Sequence, residues 1–306
     1  MTAWQPLAKT EPPASATPPL AAHDLLRAVP EPAPPPTPLV FASPHSGRIY
    51  PDDMMDAVRL DTEALRASED AFVDDIIAGA PALGVAVIRA RLARAYVDLN
   101  REPWELDPGM FEDELPAFAR SHSARVAAGL GTIARVASEG KPIYARKLRF
   151  AEAKARVDLA HRPYHDALER LLGSARATHG IAVLVDWHSM PAAAARGQRA
   201  RGGGPCDIVL GDRFGAACSP KLTGLVEREL EAMGYRVARN APYAGGYTTE
   251  HYGRPARRTH ALQIEINRAL YMDEVTREPT EGLARLAADA ERLARALIAL
   301  DPSSLR

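Results

Sequence analysis

The run GIAVLVDWHS at residues 180–189 constrains the fold more than any other stretch. Apolar side chains fill it without alternation until Asp186 and His188. A strand with one wet face alternates; this one does not, so it needs cover on both faces, as in a parallel sheet between two helical layers. Similar short runs recur along the chain: PLVFAS (38–43), GVAVIRAR (84–91), RAYVDLN (94–100), CDIVLG (206–211), YRVAR (235–239) and ALQIEIN (261–267). Longer amphipathic stretches separate them. Helical spacing is present within 52–83, over about 117–139, over 150–178 with an interruption near Pro163, over 221–234, and over 281–300. Strands alternating with helices predict an α/β fold with a central, mostly parallel, mixed sheet flanked by helices on both faces.

Residues 1 to about 37 are rich in Pro, Ala and Thr and end in PEPAPPPTP. Such a segment cannot bury a face and is expected to be a disordered or polyproline-like tail, a linker or a docking segment. Residues 38–306 are then expected to form a single α/β hydrolase domain. The formal net charge is -1 and aromatic residues make up 6%, so neither nucleic acid nor a membrane surface is favoured as a partner. No apolar run approaches the ~20 residues that cross a bilayer. Nor does the N-terminus read as a signal peptide. Cys206 and Cys218 form no Cys-x-x-Cys pair, which fits a cytoplasmic protein without disulfides.

In sheets of this kind ligands bind beyond the carboxyl ends of the strands. The polar residues at those ends form a set. His45 lies in the turn of FASPHSG (41–47), Asn100 and Arg101 end AYVDLNR, Asp186 and His188 end IAVLVDWHS, and Glu265 lies late in ALQIEIN. His45 and His188 are candidate metal ligands, since neutral imidazole suits zinc and catalytic zinc commonly takes three protein ligands. A histidine at a turn also serves as an ordinary capping residue. Glu69 and Asp70, in RASEDAFVDD, offer a carboxylate ligand, or acidic residues at a helix start. Asp186, two residues before His188, points to the same side of its strand and suits an orienting partner. Arg101 suits a substrate carboxylate through its planar fork; a salt bridge to Glu102 or Asp98 is the alternative. Glu265, between two isoleucines, is either a structural partner of Arg268 or a general base raised by burial. The Gly- and Tyr-rich stretch 240–255 reads as a lid or as a plain surface loop, with Tyr247, Tyr252 and Arg254 offering polar tips. The loop GQRARGGGP (197–205) is cationic and suits an anionic substrate.

Taken in order, SPHSG, VDLNREPWE, DWHSMP, DIVLGDRFG, PYAGGYTTEHYGRP and LQIEINRALYMDE resemble the N-formylglutamate amidohydrolases, from Ser43 to Glu274. That family is similar to zinc carboxypeptidases and aspartoacylase, which share the order histidine, acidic ligand, Asn-Arg, histidine, catalytic glutamate. The resemblance implies one Zn²⁺ per chain held by His45, Asp70 and His188, with Glu69 as the alternative to Asp70. Carboxypeptidases place the acidic ligand three residues after the first histidine. Here that position is Arg48, and the family's common aspartate aligns with Asp70. The implied reaction is zinc-dependent cleavage of N-formyl-L-glutamate to formate and L-glutamate, as in histidine degradation. Zinc would acidify its water, Glu265 would take and return the proton, and Asn100 and Arg101 would hold the α-carboxylate. Arg213, Arg254 and Tyr247 are candidates for the rest of a small anionic N-acyl amino acid. Two other readings remain at this stage: a zinc amidohydrolase or carboxypeptidase for another N-acyl amino acid or peptide, and a non-catalytic ligand-binding protein.

Overall fold

The computed structural model describes residues 21–27, 33–137, 140–197 and 204–305. Seven strands form one mixed sheet: β1 His23–Leu26, β2 Leu39–Ser43, β3 Ala86–Ala90, β4 Ala182–Met190, β5 Ile208–Gly211, β6 Val237–Arg239 and β7 Thr259–Asn267. Their order is β1-β3-β2-β4-β7-β5-β6. The pairs β3–β2, β2–β4, β4–β7 and β5–β6 are parallel, whereas β1–β3 and β7–β5 are antiparallel.

Every residue of β4 is buried, as its unbroken apolar run requires. Alternation sorts the strand side chains into two cores, one on each face. Val40, Ala42, Ile88 and Leu184 pack with Leu168, Leu171 and Leu172 of the helix Arg162–His179. Leu39, Phe41, Val183 and Val185 pack with Leu222 and Val226 of Pro220–Ala232 and with Leu286 and Leu293 of Gly282–Ile298. No helix among the described residues is long and apolar enough to cross a membrane.

Three local expectations are corrected. His23–Leu26, placed in a disordered tail, is instead an edge strand with Leu25 opposite Ile88. The exposed backbone edge of β3 offers a ladder that outweighs the segment's weak strand preference. RAYVDLN is not a strand but a set of turns. Tyr96, Val97 and Leu99 are buried all the same, so apolar character came from packing rather than pairing. Among the described residues of the 117–139 stretch, the helix is the four-residue Ala124–Ala127. The interruption expected near Pro163 is present as a π turn at Val157–His161, which joins Phe150–Arg156 to Arg162–His179. Such a bulge accommodates a residue that lacks an amide hydrogen.

Candidate active site

The turn after β2 is closed by the Ser43 and Ser46 hydroxyls, 2.7 Å apart. A Cβ at Gly47 would lie 2.1 Å from the Leu92 carbonyl oxygen, so only glycine permits this approach of the two backbones. His45 is thereby fixed over the end of β2. The Asp70 amide donates to the His45 carbonyl at 3.0 Å, which brings the turn between Thr62–Arg66 and Val73–Ile76 to the same place. His188 arrives late on β4, beside β2.

Three ligand atoms converge. His45 Nδ1 and His188 Nδ1 are 3.1 Å apart, and Asp70 Oδ2 lies 3.1 Å from His188 Nδ1 and 3.3 Å from His45 Nδ1. The outer nitrogens face carboxylates: His45 Nε2 to Asp98 Oδ1 at 2.6 Å, His188 Nε2 to Asp186 Oδ2 at 3.0 Å. A carboxylate only accepts, so each Nε2 carries the hydrogen and each Nδ1 presents a lone pair. Two lone pairs and an anionic oxygen cannot satisfy one another. A cation between them can. Ligands bonded at ~2.0–2.1 Å to a tetrahedral zinc lie roughly 3.3 Å apart, and this triangle has nearly those edges. All three residues are buried. With no metal, burial disfavours an imidazolium, but the charge and hydrogen bond of Asp186, the hydrogen bond to Asp70 and the charge of Glu265 outweigh it and hold His188 well above its ordinary value, so that a proton on Nδ1 stands where a metal would bind. Positive charge is therefore favoured here, and the residues fit a divalent metal.

Asp70 is the carboxylate in the triangle. Glu69 is not: its Oε1 accepts from the Tyr50 hydroxyl at 2.7 Å, away from the histidines. Asp70 Oδ1, the oxygen outside the triangle, takes Arg268 Nη2 at 3.0 Å. Arg268 thus pairs with Asp70, not with Glu265 as the sequence allowed. Glu265 lies on β7 in register with His188. Burial pushes its carboxyl up to about 7, with Asp70 adding to the rise and His188 opposing it. Gln263 Nε2 donates to Glu265 Oε1 at 2.7 Å, and Gln263 Oε1 accepts the Gly246 amide at 2.7 Å, which fixes the orientation of the Gln263 amide.

A cavity of about 740 Å³ opens on this cluster, with Arg94, Arg101, Arg125, Arg213, Arg268 and Tyr243 on its walls. Asn100 lines it too, but its side-chain oxygen is engaged: Oδ1 accepts from the Thr248 amide at 2.8 Å. Arg213 lies on the wall and pairs with Glu250 at 3.0 Å. Tyr247 and Arg254, expected here, line a neighbouring cavity of about 600 Å³. Tyr247 stacks on His251, and Arg254 donates to the Glu250 and Gly253 carbonyls, which holds both away from the main cavity. Residues 198–203 of the expected cationic loop lie outside the described residues. Sequence reasoning passed over Asp98 as an orienting group, Gln263 and Tyr243. His161 and His165, which no strand end marks in the sequence, donate through Nε2 at 2.8 Å to the carbonyls of Arg101 and Leu99, the neighbours of Asn100.

A sequence model of the N-formylglutamate amidohydrolases matches residues 37–272. The chain belongs to this family. The N-formylglutamate deformylase of Pseudomonas putida is 30% identical over 240 residues, 78% of this chain and 82% of that protein. The Pseudomonas aeruginosa deformylase is 28% identical over 241 residues, covering 78% and 83%. The crystal structure of the N-formylglutamate amidohydrolase from Ralstonia eutropha JMP134 superposes with a TM-score of 0.83 at 39% identity, covering 91% of this chain and 98% of that one. As a member of the family, the chain is a hydrolase acting on an amide bond, and the cluster of His45, Asp70, His188 and Glu265 is its candidate reaction centre.

Proposed function

We propose that this amidohydrolase is a zinc-dependent deformylase that cleaves N-formyl-L-glutamate to formate and L-glutamate. The observation that carries the reading is the buried His45–Asp70–His188 triangle beside the Glu265 carboxyl, which burial pushes up. His45, Asp70 and His188 would hold the zinc, which supplies Lewis acidity and an acidified water when bound.

The chain's own residues supply the rest. Asp98 and Asp186 keep the Nδ1 lone pairs of His45 and His188 pointing inward. Glu265 accepts a proton from the attacking water as oxygen adds to the formyl carbon. It then returns that proton to the amide nitrogen as the C–N bond breaks, so the base becomes the acid. A carboxyl poised near neutrality suits both roles. Arg94, which donates to Asp98 at 2.8 Å and faces the Glu265 charge, lines the cavity where negative charge builds on the formyl oxygen. Arg101 anchors the α-carboxylate. Asn100 holds the wall by receiving Thr248, with Arg101 Nη1 donating to the Asn100 carbonyl at 2.8 Å.

A substrate panel tests this. N-formyl-L-glutamate is expected to exceed N-acetyl- and N-succinyl-amino acids in kcat/KM by an order of magnitude or more. A preference for a longer acyl group would replace the formyl assignment with another N-acyl amino acid. Bound zinc without turnover of any member would leave a ligand-binding protein.

A further inference from the structure

Five arginines reach the main cavity, and their carboxylate partners divide them. Arg94 donates to Asp98 at 2.8 Å, Arg268 to Asp70 at 3.0 Å, and Arg213 pairs with Glu250 at 3.0 Å. Arg101 and Arg125 differ. Arg101 Nη2 is 3.9 Å from Asp98, and its short bonds go to the backbone carbonyls of Leu130 and Asn100. Arg125 Nη1 is 3.7 Å from Glu105 Oε2. At these distances neither guanidinium makes the charge-assisted hydrogen bond that it is shaped for.

The surroundings of Arg125 are built rather than incidental. Ser123 caps its helix turn by accepting from the Val126 amide at 3.0 Å, and the Ser123 hydroxyl donates to Glu105 Oε1. Glu105 is buried, and its Oε2 has no hydrogen-bond partner among the described residues. The backbone that carries Arg125 is thus anchored, and Arg125 lines both cavities. Arg101 lies close enough to feel it. Burial first, then the charges of Arg94 and Arg125, hold the Arg101 guanidinium below its ordinary value despite Asp98. Two adjacent cations with long carboxylate contacts form a receptor for two anionic groups.

We propose that Arg125 is the specificity residue for the second carboxylate of the substrate, so that Arg101 and Arg125 together select an acidic N-acyl amino acid over a neutral one. The assignment rests on the proposed deformylase reading, with the α-carboxylate on Arg101. It places the side-chain carboxylate on a residue of the short helix Ala124–Ala127, not on Arg213 or Arg254.

The experiment compares N-formyl-L-glutamate with N-formyl-L-glutamine, which has the same shape and no second charge. In Arg125→Met the ratio of the two kcat/KM values is expected to fall roughly ten- to a hundredfold, the weight of one hydrogen bond between charged groups. Arg125→Lys should recover part of the ratio, since it restores the charge without the fork. Zinc content and circular dichroism of both variants establish that they fold; should Arg125→Met fail to, Arg125→Lys with a ratio below wild type decides in favour and an unchanged ratio against. Equal falls on both substrates would overturn the proposal and leave Arg125 a packing residue, with the deformylase reading intact. A collapse of the ratio in Arg213→Met, with none in Arg125→Met, would move the role to Arg213. Wild-type protein that hydrolyses neither formyl substrate would overturn the underlying reading together with this one.

Discussion

His45 Nδ1 and His188 Nδ1 face each other at 3.1 Å, while the outer nitrogen of each ring is held by a carboxylate. As neutral imidazoles, with Asp98 and Asp186 fixing the tautomers, neither ring has a hydrogen to give the other. The pair is arranged for a shared cation, and the orienting carboxylates should matter to its binding.

Asp98→Asn tests that directly. An asparagine keeps the size of the side chain but removes the charge that holds His45 Nε2–H and that pairs with Arg94. Loss of such an orienting partner typically weakens metal binding by ~10–100-fold. Competition with a chelator of known affinity would measure it. Unchanged affinity would mean that the His45 ring is positioned by packing alone. His188→Ala should abolish binding, and metal analysis of protein purified without added zinc should find less than stoichiometric metal in that variant.

Glu265→Gln separates the base from the metal site. Glutamine is isosteric and can still meet Gln263, but it cannot carry a proton. Turnover should drop ~10²-fold or more, in the range of general-base loss, while the metal stays bound. Near-wild-type turnover would assign the proton transfer to another group.

The pH dependence of kcat/KM follows from the same residue. A base must be ionised, and burial raises the Glu265 carboxyl to about 7. Activity should therefore fall as pH drops through the Glu265 pKa and protonation removes the base. A cation in the cluster moves that limb lower without changing its direction. The hydrogen bond from Gln263 favours the ionised form. In Gln263→Met that support is lost, the pKa rises, and the acid limb should move to higher pH than in the wild type. Coincident limbs would show that Gln263 only supports the Gly246 backbone.

Much of this centre was legible in the sequence because strand chemistry is local. Asp186 and His188 stand out as polar residues that finish an unbroken apolar run, Glu265 as a carboxylate between two isoleucines, and β4 and β7 could be placed from those runs alone. Asp98 could not. It meets His45 across 53 positions, from a segment that reads as a strand but packs Tyr96, Val97 and Leu99 inward from turns. The β1 strand was hidden for a related reason: HDLL has little intrinsic preference, and its pairing is decided by the open edge of β3. Tyr247 and Tyr243 carry equal weight in a Gly- and Tyr-rich stretch. Only the path of the chain through Gly245 and Gly246, where a Cβ on Gly246 would fall 2.3 Å from the Asn100 amide, turns Tyr243 toward the main cavity and Tyr247 away.

Arg101→Lys bears on whether an amino-acid carboxylate is the anchor of the substrate. Arg101 is largely buried and braced, with Nε on the Leu130 carbonyl at 2.9 Å and Nη1 on that of Asn100. Its planar fork is held by those bonds, Nη2 lies 3.9 Å from Asp98 Oδ2, and the residue lines the main cavity. Lysine retains the charge but has neither the fork nor the backbone contacts, so the bidentate grip is lost. One hydrogen bond to a charged group contributes ~1.5–3 kcal/mol, so kcat/KM on N-formyl-L-glutamate should fall roughly ten- to a hundredfold. Binding and chemistry should fall together, because a displaced α-carboxylate also displaces the formyl carbon from the attacking water and from Glu265. A purely structural Arg101 predicts a different pattern: a lower melting temperature with kcat/KM intact. Kinetics and thermal denaturation of the one variant therefore decide between them, and an unaltered kcat/KM would remove Arg101 from substrate recognition.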